Sequence, residues 1–203
     1  MEKFNTLTSV VTPLDRTNVD TDQIIPKQFL KRIERTGFGD FLFFDWRKNP
    51  DGSPIADFAL NDARYQGSQI LVAGKNFACG SSREHAVWAL ADYGFRVIIA
   101  PSFADIFFSN AGKNGIVLAR LSDGEVDTLL QNAQKIPGYK LTVSLEQQTV
   151  SDDRGFKAKF EVDPFRKYCL LEGLDDIGLT MRHAAAIDAY EKQHDQVEWL
   201  RAK

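Results

Sequence analysis

At 203 residues, 43% of them hydrophobic, the chain can bury the core of one domain with embellishments. Its 25 basic and 28 acidic residues nearly balance, at a net charge of -3, which argues against a nucleic-acid or anionic-membrane surface. The two cysteines, Cys79 and Cys169, belong to no CxxC pair, and no run reaches the ~20 apolar residues of a membrane helix. A disulfide framework and a four-cysteine zinc or iron-sulfur site within this chain are therefore not expected, and the reading is of a soluble cytoplasmic protein.

In chain order, residues 6–11 read as a short strand and residues 15–23 as a polar loop leading into Ile24-Ile25-Pro26. Residues 38–46 are dense in aromatics (Phe38, Phe41, Phe43, Phe44, Trp46) and are assigned to the core or an interface between subunits, since aromatics dominate both kinds of burial. Asn49-Pro50-Asp51-Gly52-Ser53-Pro54 is a surface loop. From residue 69 the pattern alternates: strand 69–73, helix 83–93 stopped by Gly94, strand 97–100, helix 102–110, strand 115–119, then helix 123–134 with Val126, Leu129 and Leu130 on one face. Three such units predict parallel strands joined by crossover helices. After Pro137-Gly138, residues 140–145 and 157–162 alternate apolar and polar, with a hairpin turn at Asp152-Asp153-Arg154-Gly155 between them. Residues 180–203 read as helical, with a start near Asp175-Asp176 and a polar tail. The predicted class is α/β, parallel strands with crossover helices plus an antiparallel element.

The chemistry gathers where the turn-rich residues 74–80 meet the helix start Ser81-Ser82-Arg83-Glu84-His85-Ala86. Ser81 to Glu84 has the S-x-x-E spacing of a capping box, in which the serine oxygen and the glutamate each satisfy a free backbone N–H. The remaining N–H groups and the positive helix end favour an anion, and Arg83 adds a fork of donors suited to a carboxylate. Cys79 beside the motif is expected to pack the turn, since neither neighbour offers it a general base.

Asn18-Val19-Asp20-Thr21-Asp22-Gln23-Ile24-Ile25-Pro26, together with Gly80-Ser81-Ser82-Arg83-Glu84-His85-Ala86, resembles the swivel domain of the aconitase superfamily. Within it the likeness is to the small subunits of bacterial isopropylmalate isomerases, and it runs on through Lys31-Arg32 and Arg35-Thr36-Gly37-Phe38-Gly39 over nearly the whole chain. The resemblance implies an aconitase-like swivelling β/β/α domain, one unit over residues 1–203 with a helical extension from about residue 175. It also implies a half-enzyme whose large-subunit partner carries a 4Fe–4S cluster. The pair would take a small diacid, dehydrating 2-isopropylmalate and rehydrating the product to 3-isopropylmalate in leucine biosynthesis. The alternatives are the small subunit of a homoaconitase or of a citraconate or dimethylmaleate hydratase, and a noncatalytic binding module on the same fold.

By the same resemblance Ser81 is the catalytic base, acting as an alkoxide, and Ser82 and Arg83 hold a substrate carboxylate. An alkoxide is very poorly populated in water, so oriented N–H donors and a nearby cation would have to make it available. Asp22 joins the substrate site with Thr21 in support. Substrate choice falls in residues 29–37, where Leu30 or Ile33 offers an apolar contact and Arg32 a charged one. Glu84 and His85 are supporting residues, and no metal ligand is assigned to this chain.

Overall fold

A computed structural model of the chain describes residues 1–31, 36–81 and 83–194. The described residues build one seven-stranded sheet from β1 (Thr6–Leu14), β2 (Ile70–Ala73), β3 (Val97–Ala100), β4 (Val117–Arg120), β5 (Lys140–Ser144), β6 (Thr149–Ser151) and β7 (Lys157–Lys159). Their spatial order is β4-β3-β2-β1-β5-β6-β7. The nine-residue β1 is the hinge of this arrangement. Its first half pairs antiparallel with β5, Thr6 opposite Ser144, and its second half pairs parallel with β2, Val11 opposite Ile70. From β2 to β4 the pairing is parallel, and from β5 to β7 it is antiparallel, as the change of period predicts.

The helices are α1 (Thr21–Ile24), α2 (Phe44–Arg47), α3 (Glu84–Tyr93), α4 (Asp105–Lys113), α5 (Asp123–Lys135), α6 (Pro164–Glu172), α7 (Asp176–Met181) and α8 (Ala184–His194). Side chains alternate along a strand, so Leu71, Ala73, Ile98, Ala100 and Leu118 face one core while Ile70, Val72, Val97, Ile99, Val117 and Ala119 face another. Cover on both faces explains why β2 and β3 read as unbroken apolar runs. The first core is closed by Ala86, Val87 and Leu90 of α3, Phe107 and Ala111 of α4, and the buried Phe38 and Phe43 of the aromatic segment. Against the second lie Val126, Leu129 and Leu130 of α5 and Leu170 of α6. Strands β2, β3 and β4 therefore step outward with α3 and α4 on one face, and α5 returns across the other to reach β5 beside β1.

Several elements differ from the sequence expectation. The polar run at residues 15–23 ends in α1, because Asp20 accepts the Asp22 N–H at 2.7 Å while the Gln23 side chain accepts the Asp20 N–H at 2.8 Å. Polar residues that read as loop are here a helix cap. Strand β6 intervenes between the two alternating segments, so the turn at Asp152 joins β6 to β7, and three residues are too few to display a period. Helix α6 was not expected, although Asp163 capping it and Pro164 in its first turn are ordinary start signals. The helix expected from residue 102 begins at Asp105, since Phe103 is still bridged to Phe77. The C-terminal helical stretch is two helices, α7 and α8, and residues 195–203 of that expectation lie outside the described residues. Among the described residues no helix is long and apolar enough to cross a membrane.

Candidate active site

The site forms where β1, β2 and β3 end, the carboxyl edge at which open α/β sheets take ligands. The loop after β2 is stitched to both neighbours. On one side the Asn18 N–H donates to the Lys75 carbonyl at 2.8 Å, the Cys79 N–H to Val19 at 3.1 Å and the Thr21 N–H to Cys79 at 2.9 Å. On the other, the Phe77 N–H donates to the Ser102 carbonyl at 3.0 Å and the Ala104 N–H to Phe77 at 3.1 Å. Along this path Asn76, Ala78 and Gly80 adopt φ of 59°, 60° and 87°. For Ala78 a left-handed backbone costs about 1–2 kcal/mol, which the surrounding bonds must offset. At Gly80 a side chain is excluded twice over, since a Cβ would also lie 2.2 Å from Asp20 Oδ2.

This frame presents Ser81 and Arg83. Thr21 Oγ1 donates to the Ser81 carbonyl at 2.7 Å, fixing the backbone that carries the exposed serine. The Arg83 guanidinium pairs with Asp22 Oδ1, and Lys27 Nζ lies 3.4 Å from Asp22 Oδ2. The Arg83 side chain is 14% exposed and that of Lys27 73%, so the arginine pair is held in the less screened setting and the lysine adds little.

The expected Ser81–Glu84 capping box does not form. Arg83, extended at φ -134° and ψ 119°, is itself the residue preceding the helix, and its side chain makes no capping bond to α3. With its carbonyl tied to Thr21, Ser81 is held outside the first turn, and Glu84 Oε1 instead accepts from Asn114 Nδ2 at 3.1 Å. Helix α4, preceded by Ala104, likewise has no capping bond from that residue, whereas α5, α6 and α7 are closed by Ser122, Asp163 and Asp175. The positive ends of α3 and α4 thus adjoin the same region.

A cavity of about 260 Å³ lies there, lined by Thr21, Ala78, Gly80, Ser81 and Arg83 from the stitched loops and by Ala104, Asp105, Ile106 and Phe107 from the start of α4. The α4 residues were not anticipated from the sequence. The rule that loops after parallel strands converge would have nominated the turn after β3, had the strand order been known.

The remaining sequence-predicted residues are distributed as follows. His85 packs against Phe38 and Trp88, with ring centroids 5.5 and 4.8 Å away. Leu30 is half-buried against the first core and is not among the described residues lining the cavity. Ser82, Arg32 and Ile33 lie outside the described residues. Cys79 is half-buried, and burial, then the Asp20 charge, pushes its thiol above the usual range, which disfavours a thiolate nucleophile. Among the described residues no three His, Cys, Asp or Glu side chains gather as a metal site.

The fold and this cavity define an aconitase-type α/β domain, and residues 1–124 match the family model of the aconitase C-terminal domain. Residues 127–164 match the LeuD_N model, and residues 176–202 match the model of the C-terminal domain of 3-isopropylmalate dehydratase small subunits. The 3-isopropylmalate dehydratase small subunit of Acidobacterium capsulatum is 69% identical over 200 residues, 98% of this chain and 94% of that one. Its namesake in Koribacter versatilis is 60% identical over 194 residues, 96% of this chain and 100% of that one. The chain belongs to the 3-isopropylmalate dehydratase small-subunit family. The crystal structure of 3-isopropylmalate dehydratase from Methanocaldococcus jannaschii shares the fold with a TM-score of 0.66 at 22% identity, covering 91% of this chain and 99% of that one.

Proposed function

We propose that this chain is the small subunit of a 3-isopropylmalate dehydratase and completes its active site only with a large subunit that holds a 4Fe–4S cluster. The observation that carries the reading is the meeting of Ser81 and Arg83 on one cavity, in a chain 69% identical over 200 residues to a protein of that name. The reaction removes a proton beside a carboxylate and a hydroxyl from the neighbouring carbon, and returns water across the double bond in the opposite sense. Arg83, oriented by Asp22, holds a carboxylate of the diacid, and Ser82 assists it. Ser81 Oγ takes the proton and gives it back during rehydration. Charge that develops on the carboxylate as the proton leaves is stabilised by the guanidinium and by the N–H groups at the N-terminal end of α3. The partner's cluster supplies the Lewis acid for the departing hydroxyl. Thr21 fixes Ser81, Glu84 and His85 brace α3, and Leu30, Arg32 and Ile33 belong to the segment that sets substrate choice. In this reading residues 1–203 act as one swivel unit in the cytoplasm, with the helices after Asp175 as an extension.

The test is reconstitution. Mixed with its cluster-bearing large subunit, the chain should interconvert 2- and 3-isopropylmalate. Ser81→Ala should lower turnover by at least about a hundredfold, the lower range for a lost general base, with assembly intact. Unchanged turnover in that variant would refute the base assignment.

A further inference from the structure

We infer that Asn76 and Asn18 are positioning residues: the bond between their side chains fixes Ser81 for proton transfer, although neither lines the cavity. The inference rests on the dehydratase reading above and deepens it.

Strands β1 and β2 pair in register as far as Leu14 and Ala73. Equally far along both segments the pairing resumes in the same register, where Asp20 is bridged to Cys79. Ser81 hangs on this resumed stretch, since the Thr21 N–H donates to the Cys79 carbonyl and Thr21 Oγ1 to the Ser81 carbonyl. Between the two stretches each backbone turns at an asparagine in the left-handed region, Asn18 at φ 53° and Asn76 at φ 59°. Glycine would make either turn with less strain. What glycine lacks is the amide, and Asn76 Nδ2 donates to Asn18 Oδ1 at 2.8 Å. Asn76 also reaches the loop after β3, its N–H donating to Ser102 Oγ at 2.9 Å. One residue thus ties together the three strand-end loops at the gap in the ladder. The tie is needed because Ala78, between Asn76 and Ser81, holds φ 60°, a strain that a looser segment would release by rotating.

The pair lies in a separate polar hollow with Thr17, Lys75 and Ser102, so it acts on the reaction through the backbone. Arg83 is gripped by Asp22 instead. Loosening the asparagine pair therefore displaces the serine and leaves carboxylate binding in place.

The experiment measures kcat and KM on 2-isopropylmalate, with this chain reconstituted at saturating large subunit. Asn76→Gly and Asn18→Gly each keep the left-handed backbone and remove the bond. Each should lower kcat about tenfold with KM within about twofold, part of the roughly hundredfold that a misplacement near 1 Å costs. Because one bond serves both residues, the double variant should be no slower than the slower single one, and losses that multiply overturn the inference. Asn18→Asp still accepts from Asn76 and should keep most of the wild-type kcat. Unchanged kcat in the glycine variants, or an aspartate variant as slow as the glycine one, overturns the inference. So does a loss confined to limiting large subunit, which makes the pair part of the interface between the two chains. Should Asn76→Gly fail to fold, Asn18→Gly and Asn18→Asp carry the test from the exposed partner of the bond. A wild-type enzyme inactive on isopropylmalates would overturn the dehydratase reading itself, a result distinguishable from active wild type with unaffected variants.

Discussion

Gly80→Ala isolates the contact that holds the two site-forming loops together, with Gly52→Ala as its control. The two glycines have nearly the same backbone, φ 87° and 85°, so alanine at either incurs the same left-handed strain of about 1 kcal/mol. At Gly52 nothing lies within 4 Å of the added Cβ. At Gly80 the Cβ arrives 2.2 Å from Asp20 Oδ2 and 3.0 Å from Oδ1. The backbones cannot easily part, because Asp20 and Cys79 are bridged and the Thr21 N–H is bonded to the Cys79 carbonyl. The Asp20 side chain must therefore swing away, breaking its 2.7 Å bond from the Asp22 N–H and uncapping α1, which costs about 1 kcal/mol more. Gly80→Ala should lose about 2 kcal/mol and Gly52→Ala about 1, read from urea midpoints at constant m-value. Losses equal to within about 0.5 kcal/mol would refute the claim that Asp20 and Gly80 are packed against each other as described.

Two further outcomes follow from the same geometry. Asp22→Asn removes the charge that orients Arg83, so KM for the diacid should rise about tenfold, the equivalent of one lost charge-assisted hydrogen bond. An unchanged KM in steady-state assays of the two-subunit enzyme would remove Asp22 from this role. Asp152 ties β6 and β7 to the end of α5: it accepts from the Tyr139 hydroxyl at 2.7 Å and from the Arg154 and Phe156 N–H groups, each at 2.8 Å. Burial alone would raise its pKa, but these three bonds outweigh burial and hold it below the usual range. A depressed folded-state pKa contributes stability above the unfolded value of about 3.9 and loses it as pH falls through the folded value. The stability gap between wild type and Asp152→Asn, measured by urea unfolding, should therefore be full at pH 6 and shrink below about pH 4. A gap independent of pH would contradict the assignment.

The legible parts of this protein are those written in contiguous residues. Ile70 to Ala73 and Val97 to Ala100 announce strands covered on both faces, and the face of α5 follows from Val126, Leu129 and Leu130. Ser81 and Arg83 stand two positions apart and carry their own chemistry, so the candidate site was nameable before any fold was known. Short elements failed for the opposite reason: β6 has three residues and α1 four, too few to express a period. The capping box failed although its spacing was right, because a bond from Thr21, 60 residues away, holds Ser81 outside the helix.

By itself, then, the sequence determined the parallel α/β half and the antiparallel return and nominated the serine and arginine, since burial and charge are properties each segment carries alone. Only the tertiary structure decided that Asp22 grips Arg83 across 61 residues, that Arg83 rather than Ser81 precedes α3, and that Ile106 shares the cavity with Ser81. Those facts depend on which strand ends lie side by side, and strand order is set by the joint burial of every element rather than by the residues of any one loop.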